Sequence, residues 1–222
     1  MTVKSRIHIV DDHPIVLSGY QIVINAQPDL EVIGTSAGVG EAMTAIEQSG
    51  PDLIITDLTM PGRGGLELVK DLVSVKPEAK ILVISMHDEM LYAERALRAG
   101  AKGYVMKDTA ATQMLTAIRH VLSGGIHVSE RVSAKIIGLF AGSAATRVQA
   151  SPLEKLTDRE FDVFRLFGEG KTTKEVASAL HLSPKTVAVH RDNIKHKLGF
   201  ASSAKLMRYA VRWVETESVA LT

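Results

Sequence analysis

The chain has no cysteine at all. It therefore carries no disulfide framework and no thiolate metal site. No apolar run approaches the roughly 20 residues needed to span a bilayer. The opening "MTVKSRIHIVDD" has one short apolar run, interrupted by His8 and closed by two acids, which is not the pattern of a signal peptide. A soluble cytoplasmic protein without membrane attachment is the expectation. Proline is scarce, 7 in 222 residues, and the chain is 45% apolar and 23% charged, an ordinary globular composition. A phosphate-cradling glycine loop is also missing, so nothing marks the chain as a kinase.

What is present points to two domains, because 222 residues exceed the usual single-domain size of roughly 100–150. The net charge of +1 conceals an asymmetry: residues 1–150 hold 14 Lys and Arg against 16 Asp and Glu, residues 151–222 hold 12 against 9. The basic end is a candidate polyanion binder.

Short apolar runs alternate with segments of helical period over the first 122 residues: "IHIV" then Pro14–Ala26, "EVIGT" then Glu41–Gln48, "LIIT" then Leu66–Val75, "ILVIS" then Glu89–Ala99, "GYVM" then Ala111–Leu122. Such βα repeats imply an α/β domain with a parallel sheet covered on both faces. Residues 123–152 read as a linker with a short helix capped by Ser129 and running through Phe140, the domain boundary falling at about Ala141–Pro152. From Thr157 onward the period is helical only. Thr157 and Glu160 form a capping box for a helix to about Phe167. Lys174–Leu180 is a short second helix, Ser183 and Pro184 open a third, and Ala204–Val214 is a fourth. Residues 153–222 thus read as an all-α helix-turn-helix domain.

Ligands of open parallel sheets gather at the carboxyl ends of the strands. At that edge stand Asp11 and Asp12 after the first strand, Asp57 after the third, Ser85 after the fourth and Lys107 after the fifth. Three acids make an oxygen-rich pocket suited to Mg²⁺. An aspartate can accept a phosphoryl group covalently, with Lys107 and Ser85 offering charge and a hydroxyl to its oxygens. A competing reading makes Asp57 a turn cap and Asp12 a cap of the helix at Pro14.

The stretches "VDDHP", "TDLTMPGRGGLEL", "ISMHDE" and "AGAKGYVMKD" resemble the receiver domain of two-component response regulators from Arg6 to about Leu122. The resemblance implies a flavodoxin-like five-stranded sheet in the order 2-1-3-4-5. It also implies Asp57 as phosphoacceptor, Asp11 and Asp12 serving Mg²⁺ with the backbone carbonyl of Thr59, Ser85 and Tyr104 as switch residues, and Lys107 as the phosphoryl-binding lysine. A phosphatase of the haloacid-dehalogenase type would want a second acid two residues after the nucleophile, where Thr59 stands.

The stretch "LTDREFDVFRLFGEGKTTKEVASALHLSPKTVAVHRDNIKHKLG" resembles the helix-turn-helix of the NarL/FixJ (LuxR-type) regulators. In Pro184–Leu198 the positions Val187, Ile194 and Leu198 form one apolar stripe. Lys185, Val189, Asp192 and His196 lie opposite, with Thr186, His190, Lys195 and Lys197 on the flanks. Lys185, Lys195 and Lys197 are expected to neutralise DNA phosphates, and Val189 to meet a thymine methyl. Ala188 and Asp192 depart from the family's usual pattern. The expectation is a transcriptional regulator, not an enzyme, that is phosphorylated by a histidine kinase or small phosphodonor and binds double-stranded DNA as a homodimer. RNA polymerase is a further candidate partner.

Overall fold

Four strands, β1 (Ser5–Val10), β3 (Leu53–Thr56), β4 (Ile81–Ser85) and β5 (Gly103–Met106), are almost wholly buried, as the near-continuous apolar runs of a sheet covered on both faces require. The half-exposed β2 (Leu30–Ser36) forms an edge, and all pairings are parallel in the order β2-β1-β3-β4-β5. The computed structural model describes residues 3–61, 63–140 and 152–219.

The chain divides into two compact units, Met1–Ser143 and Ala144–Thr222. In the first, the sheet is covered by α1 (Pro14–Asn25), α2 (Val39–Ser49), α3 (Gly65–Val75), α4 (Glu89–Ala99) and α5 (Ala111–Leu122). Ile7, Ile9, Leu53, Ile55, Leu82 and Ile84 pack with Ile24 of α1 and Leu115 and Ile118 of α5 in one core. The "PGRGG" turn has a packing reason: a Cβ on Gly65 would lie 1.8 Å from the Asp57 carbonyl oxygen, so only glycine lets α3 start this close to the strand end.

The segment expected as a linker does contain a helix, α6 (Glu130–Phe140), capped by Ser129, whose Oγ accepts from the Val132 N–H at 3.2 Å. That segment also packs on the first unit. The Tyr104 N–H donates to the His127 carbonyl and the His127 N–H to the Lys102 carbonyl, both at 2.9 Å, which covers the free edge of β5. Lys135 Nζ reaches the Met90 carbonyl of α4 at 2.8 Å. The boundary expected at Ala141–Pro152 lies, Pro152 apart, outside the described residues.

The second unit opens with a 3-10 turn at Pro152–Lys155, which sequence reasoning does not anticipate, and continues with α7 (Asp158–Gly168), α8 (Thr173–Ala179), α9 (Pro184–Lys197) and α10 (Ser203–Val219). Capping boxes at Thr157/Glu160 and Thr172/Glu175 set the starts of α7 and α8. α10 runs past the expected Val214 because "ETES" holds no glycine or proline to stop it. Trp213 of α10 meets Phe161 and Phe164 of α7 at ring distances of 5.5 and 5.6 Å. No helix among the described residues is long and apolar enough to cross a membrane.

Candidate functional site

Parallel pairing of β1 with β3 brings Val10 beside Thr56, so the residues that follow, Asp11 and Asp57, emerge next to each other at the carboxyl edge of the sheet. Both are buried, 2% and 4% exposed. Lys107, one residue past β5, bridges them: its Nζ lies 2.6 Å from Asp11 Oδ2 and 2.8 Å from Asp57 Oδ2. The other oxygen of Asp57 accepts from the Leu58 N–H at 2.6 Å. Asp11, Asp12, His13 and Asp57 each offer a ligand atom within 4.8 Å of the others. Asp12 does not cap α1, whose N-cap position is His13. Instead a buried Asp12 oxygen, Oδ1, has no aligned donor although His13 Nδ1 stands 2.9 Å away.

The electrostatics follow from burying two acids and one base together. Burial pushes the Asp57 carboxyl up from its ordinary range, with the Lys107 hydrogen bond opposing it. For Lys107, burial acts downward, but hydrogen bonds to Asp11 and Asp57 outweigh it and hold the ammonium above its usual value. A positive charge is thus fixed beside two carboxyl groups in a poorly solvated corner, where charge interactions are strong.

Ser85 and Tyr104, both 1% exposed, make no hydrogen bond to Asp57 among the described residues. They interact with each other directly and both also contact His87. The Tyr104 hydroxyl donates to the His87 carbonyl at 2.6 Å and the His87 N–H donates to Ser85 Oγ at 3.3 Å. Thr59 Oγ1 lies 2.6 Å from His87 Nε2, and the imidazole stacks on Tyr92 at 4.6 Å. His13 and His87 are functional candidates that sequence reasoning misses. Their one signal was adjacency, His13 to the acid pair and His87 to Ser85.

In the second unit, Val187 and Ile194 of α9 are fully buried and Leu198 is half-buried, while Lys185, Val189, Asp192 and His196 are exposed. Ala188 and His190 are half-buried on the flanks, and burial lowers the His190 imidazole. The Thr186 hydroxyl joins the Ser183 cap at 2.8 Å, and Lys195 Nζ lies 3.2 Å from Asp192. Lys197, expected to neutralise a DNA phosphate, has its Nζ 2.6 Å from the buried Glu160 of α7. Asn193 is exposed one turn beyond Val189.

Comparison with known proteins covers both units. Residues 7–119 match the response regulator receiver domain, and residues 154–210 match the bacterial regulatory proteins of the luxR family. The oxygen regulatory protein NreC of Staphylococcus carnosus is 34% identical over 210 residues, 93% of this chain and 97% of that protein. Among solved structures, a LuxR-family two-component response regulator from Aurantimonas is 35% identical over 62% of this chain and 99% of its own, with a TM-score of 0.58. RcsB of Salmonella enterica serovar Typhimurium, bound to promoter rprA in the presence of phosphomimetic BeF3⁻, covers 94% of this chain and 99% of its own at 27% identity and a TM-score of 0.59.

Proposed function

Because the chain belongs to the two-component response regulators that join a receiver domain to a LuxR-family DNA-binding domain, we propose that Asp57 is the residue that takes its phosphoryl group. The protein is a phosphorylation-dependent, DNA-binding transcription regulator and not an enzyme. A sensor histidine kinase or small phosphodonor supplies the phosphoryl group, and the regulator binds double-stranded DNA as a dimer. Residues 1–122 form the receiver, 123–152 the linker and 153–222 the DNA-binding domain of a cytoplasmic protein.

The donor set suits Mg²⁺: carboxylate oxygens, one of them buried without an aligned donor. Asp11, Asp12, Asp57 and the Thr59 carbonyl would hold the ion, which when bound offsets negative charge between carboxylate and phosphoryl oxygens. Lys107 binds a phosphoryl oxygen and keeps the incoming group over Asp57. The Ser85 hydroxyl donates to another oxygen, and as it moves, Tyr104 and His87 shift with it, favouring one of two packings. On α9, Lys185 and Lys195 meet phosphates, Val189 and Asp192 face base edges, and Thr186, Ala188 and His190 line the flanks.

The observation that carries this reading is the Lys107 ammonium, 2.8 Å from Asp57 and 2.6 Å from Asp11. The test is phosphoramidate labelling with Mg²⁺ followed by mapping of the acyl phosphate. Label on Asp57 is expected, and label on any other residue would overturn the assignment.

A further inference from the structure

Beneath α1 lies a cavity of about 480 Å³ that the transfer described above does not use. Its floor is aliphatic, built by Val16 and Val23 of α1, Val105 of β5 and Met114 of α5. Its mouth is polar. Lys107 lines it and at the same time touches Asp57 and Asp11, and His13 lines it while standing 3.1 Å from Asp11 and 2.9 Å from Asp12. Met86, 68% exposed, lines the cavity as well, one residue past Ser85.

The cavity therefore has one end at Lys107, whose ammonium bridges Asp11 and Asp57, and one end without charge. Tyr20 also lines it, and its hydroxyl has no hydrogen-bond partner among the described residues. Burial pushes that phenol up to about 12, so it stays a proton donor. Gly19 also lines it, exposed on α1, and a Cβ there would meet nothing within 4 Å, so a side chain can be added at this wall without a clash. A chamber of this size with an apolar floor and a few polar groups at one end suits a small amphipathic ligand.

We infer that this cavity seats the organic tail of small acyl phosphates, so that the protein takes phosphoryl groups from medium-chain acyl phosphates in preference to acetyl phosphate. The inference rests on Asp57 being the phosphoacceptor. In the transfer an Asp57 carboxylate oxygen bonds to phosphorus and the bond from phosphorus to the bridging acyl oxygen breaks. The electron pair departs with the acyl group as a free carboxylate. No proton, oxidant or reductant is consumed. The Tyr20 hydroxyl can donate to an acyl oxygen while the chain extends over Val16 and Met114.

Burying a methylene is worth roughly a fourfold gain, and a partly open chamber should return about threefold per carbon. The experiment measures initial rates of Asp57 phosphorylation on the full chain with Mg²⁺, using subsaturating acetyl, butyryl and hexanoyl phosphate, with tail-free phosphoramidate as reference. The hexanoyl compound should react at least about tenfold faster than the acetyl compound. Gly19→Leu, which adds a branched side chain at the cavity wall, should bring that ratio near one. Gly19→Ala should lower it only in part. If Gly19→Leu fails to fold, the unaltered chain decides by its own series. Equal rates at every chain length, with Asp57 labelled by phosphoramidate, overturn the tail site and leave the phosphoacceptor reading standing. Label outside Asp57 overturns both.

Discussion

In the first unit the buried polar side chains include Asp11, Asp57 and Ser85, all at strand ends, whereas Glu160 is the buried charged side chain of the second among the described residues. Six of the chain's ten aromatic residues lie between Phe161 and Trp213, so the second unit is held by ring packing on an all-helical frame. One unit conceals the groups proposed to work, where charges interact strongly. The other displays its proposed reading residues on the exposed face of α9, where contacts to DNA would be made through water and salt. The difference teaches that the first site should be sensitive to atomic substitutions and the second to net charge and shape.

The comparison breaks most visibly at Asp57. Asp57→Asn is expected to abolish phosphoramidate labelling completely while leaving melting of the second unit unchanged, read from Trp213, the single tryptophan. Next in size is Phe164→Ala. Phe164 is 1% exposed and packs on Tyr209 and Trp213, so the truncation should cost the second unit about 3–5 kcal/mol. DNA binding should be lost and Asp57 labelling should proceed at its normal rate. Slowed labelling would mean that the two units do not fold independently.

A smaller effect is expected from pH on the second unit. Burial acts to raise the Glu160 carboxyl, but the hydrogen bond from Lys197 and those from Thr157 outweigh it and hold the group below its ordinary value of 4.5. A carboxyl depressed in the folded state stabilises fully above its unfolded value and loses that contribution as pH falls through the folded one. Thermal melts followed at Trp213 should therefore decline below about pH 4.5. Lys197→Ala should flatten that decline and, because Lys197 is itself partly exposed, cost about 1–2 kcal/mol at neutral pH.

The two gentlest tests separate charge from shape on α9. Lys185 is exposed and makes no ion pair among the described residues, so Lys185→Ala should lower the slope of log K against log salt by about one unit. Lys197→Ala should change that slope less, since its ammonium already faces Glu160. Val189, 52% exposed, should behave oppositely: Val189→Ala is expected to leave the slope alone and weaken discrimination at one base pair by about 1 kcal/mol. A slope change with Val189→Ala, or none with Lys185→Ala, would reassign the reading face.

Sequence alone determined the sheet and which residues stand at its carboxyl edge, because both are written in local pattern. Runs such as "LIIT" and "ILVIS" have no polar face and must lie inside a covered parallel sheet, and whatever follows each run must emerge at its carboxyl end. Asp11, Asp57, Ser85 and Lys107 were legible for that reason, as were the caps Thr157 and Ser183, whose bonds span three residues. Only the tertiary structure decided which side chains meet across distant segments. Thr59 and His87 stand 28 residues apart, and Lys197 finds Glu160 across 37. No periodicity encodes such encounters, because they depend on which way long side chains turn once the elements have packed. The same reason hid the cavity under α1: its walls come from three stretches of chain that become neighbours only when α1 and α5 close over the sheet.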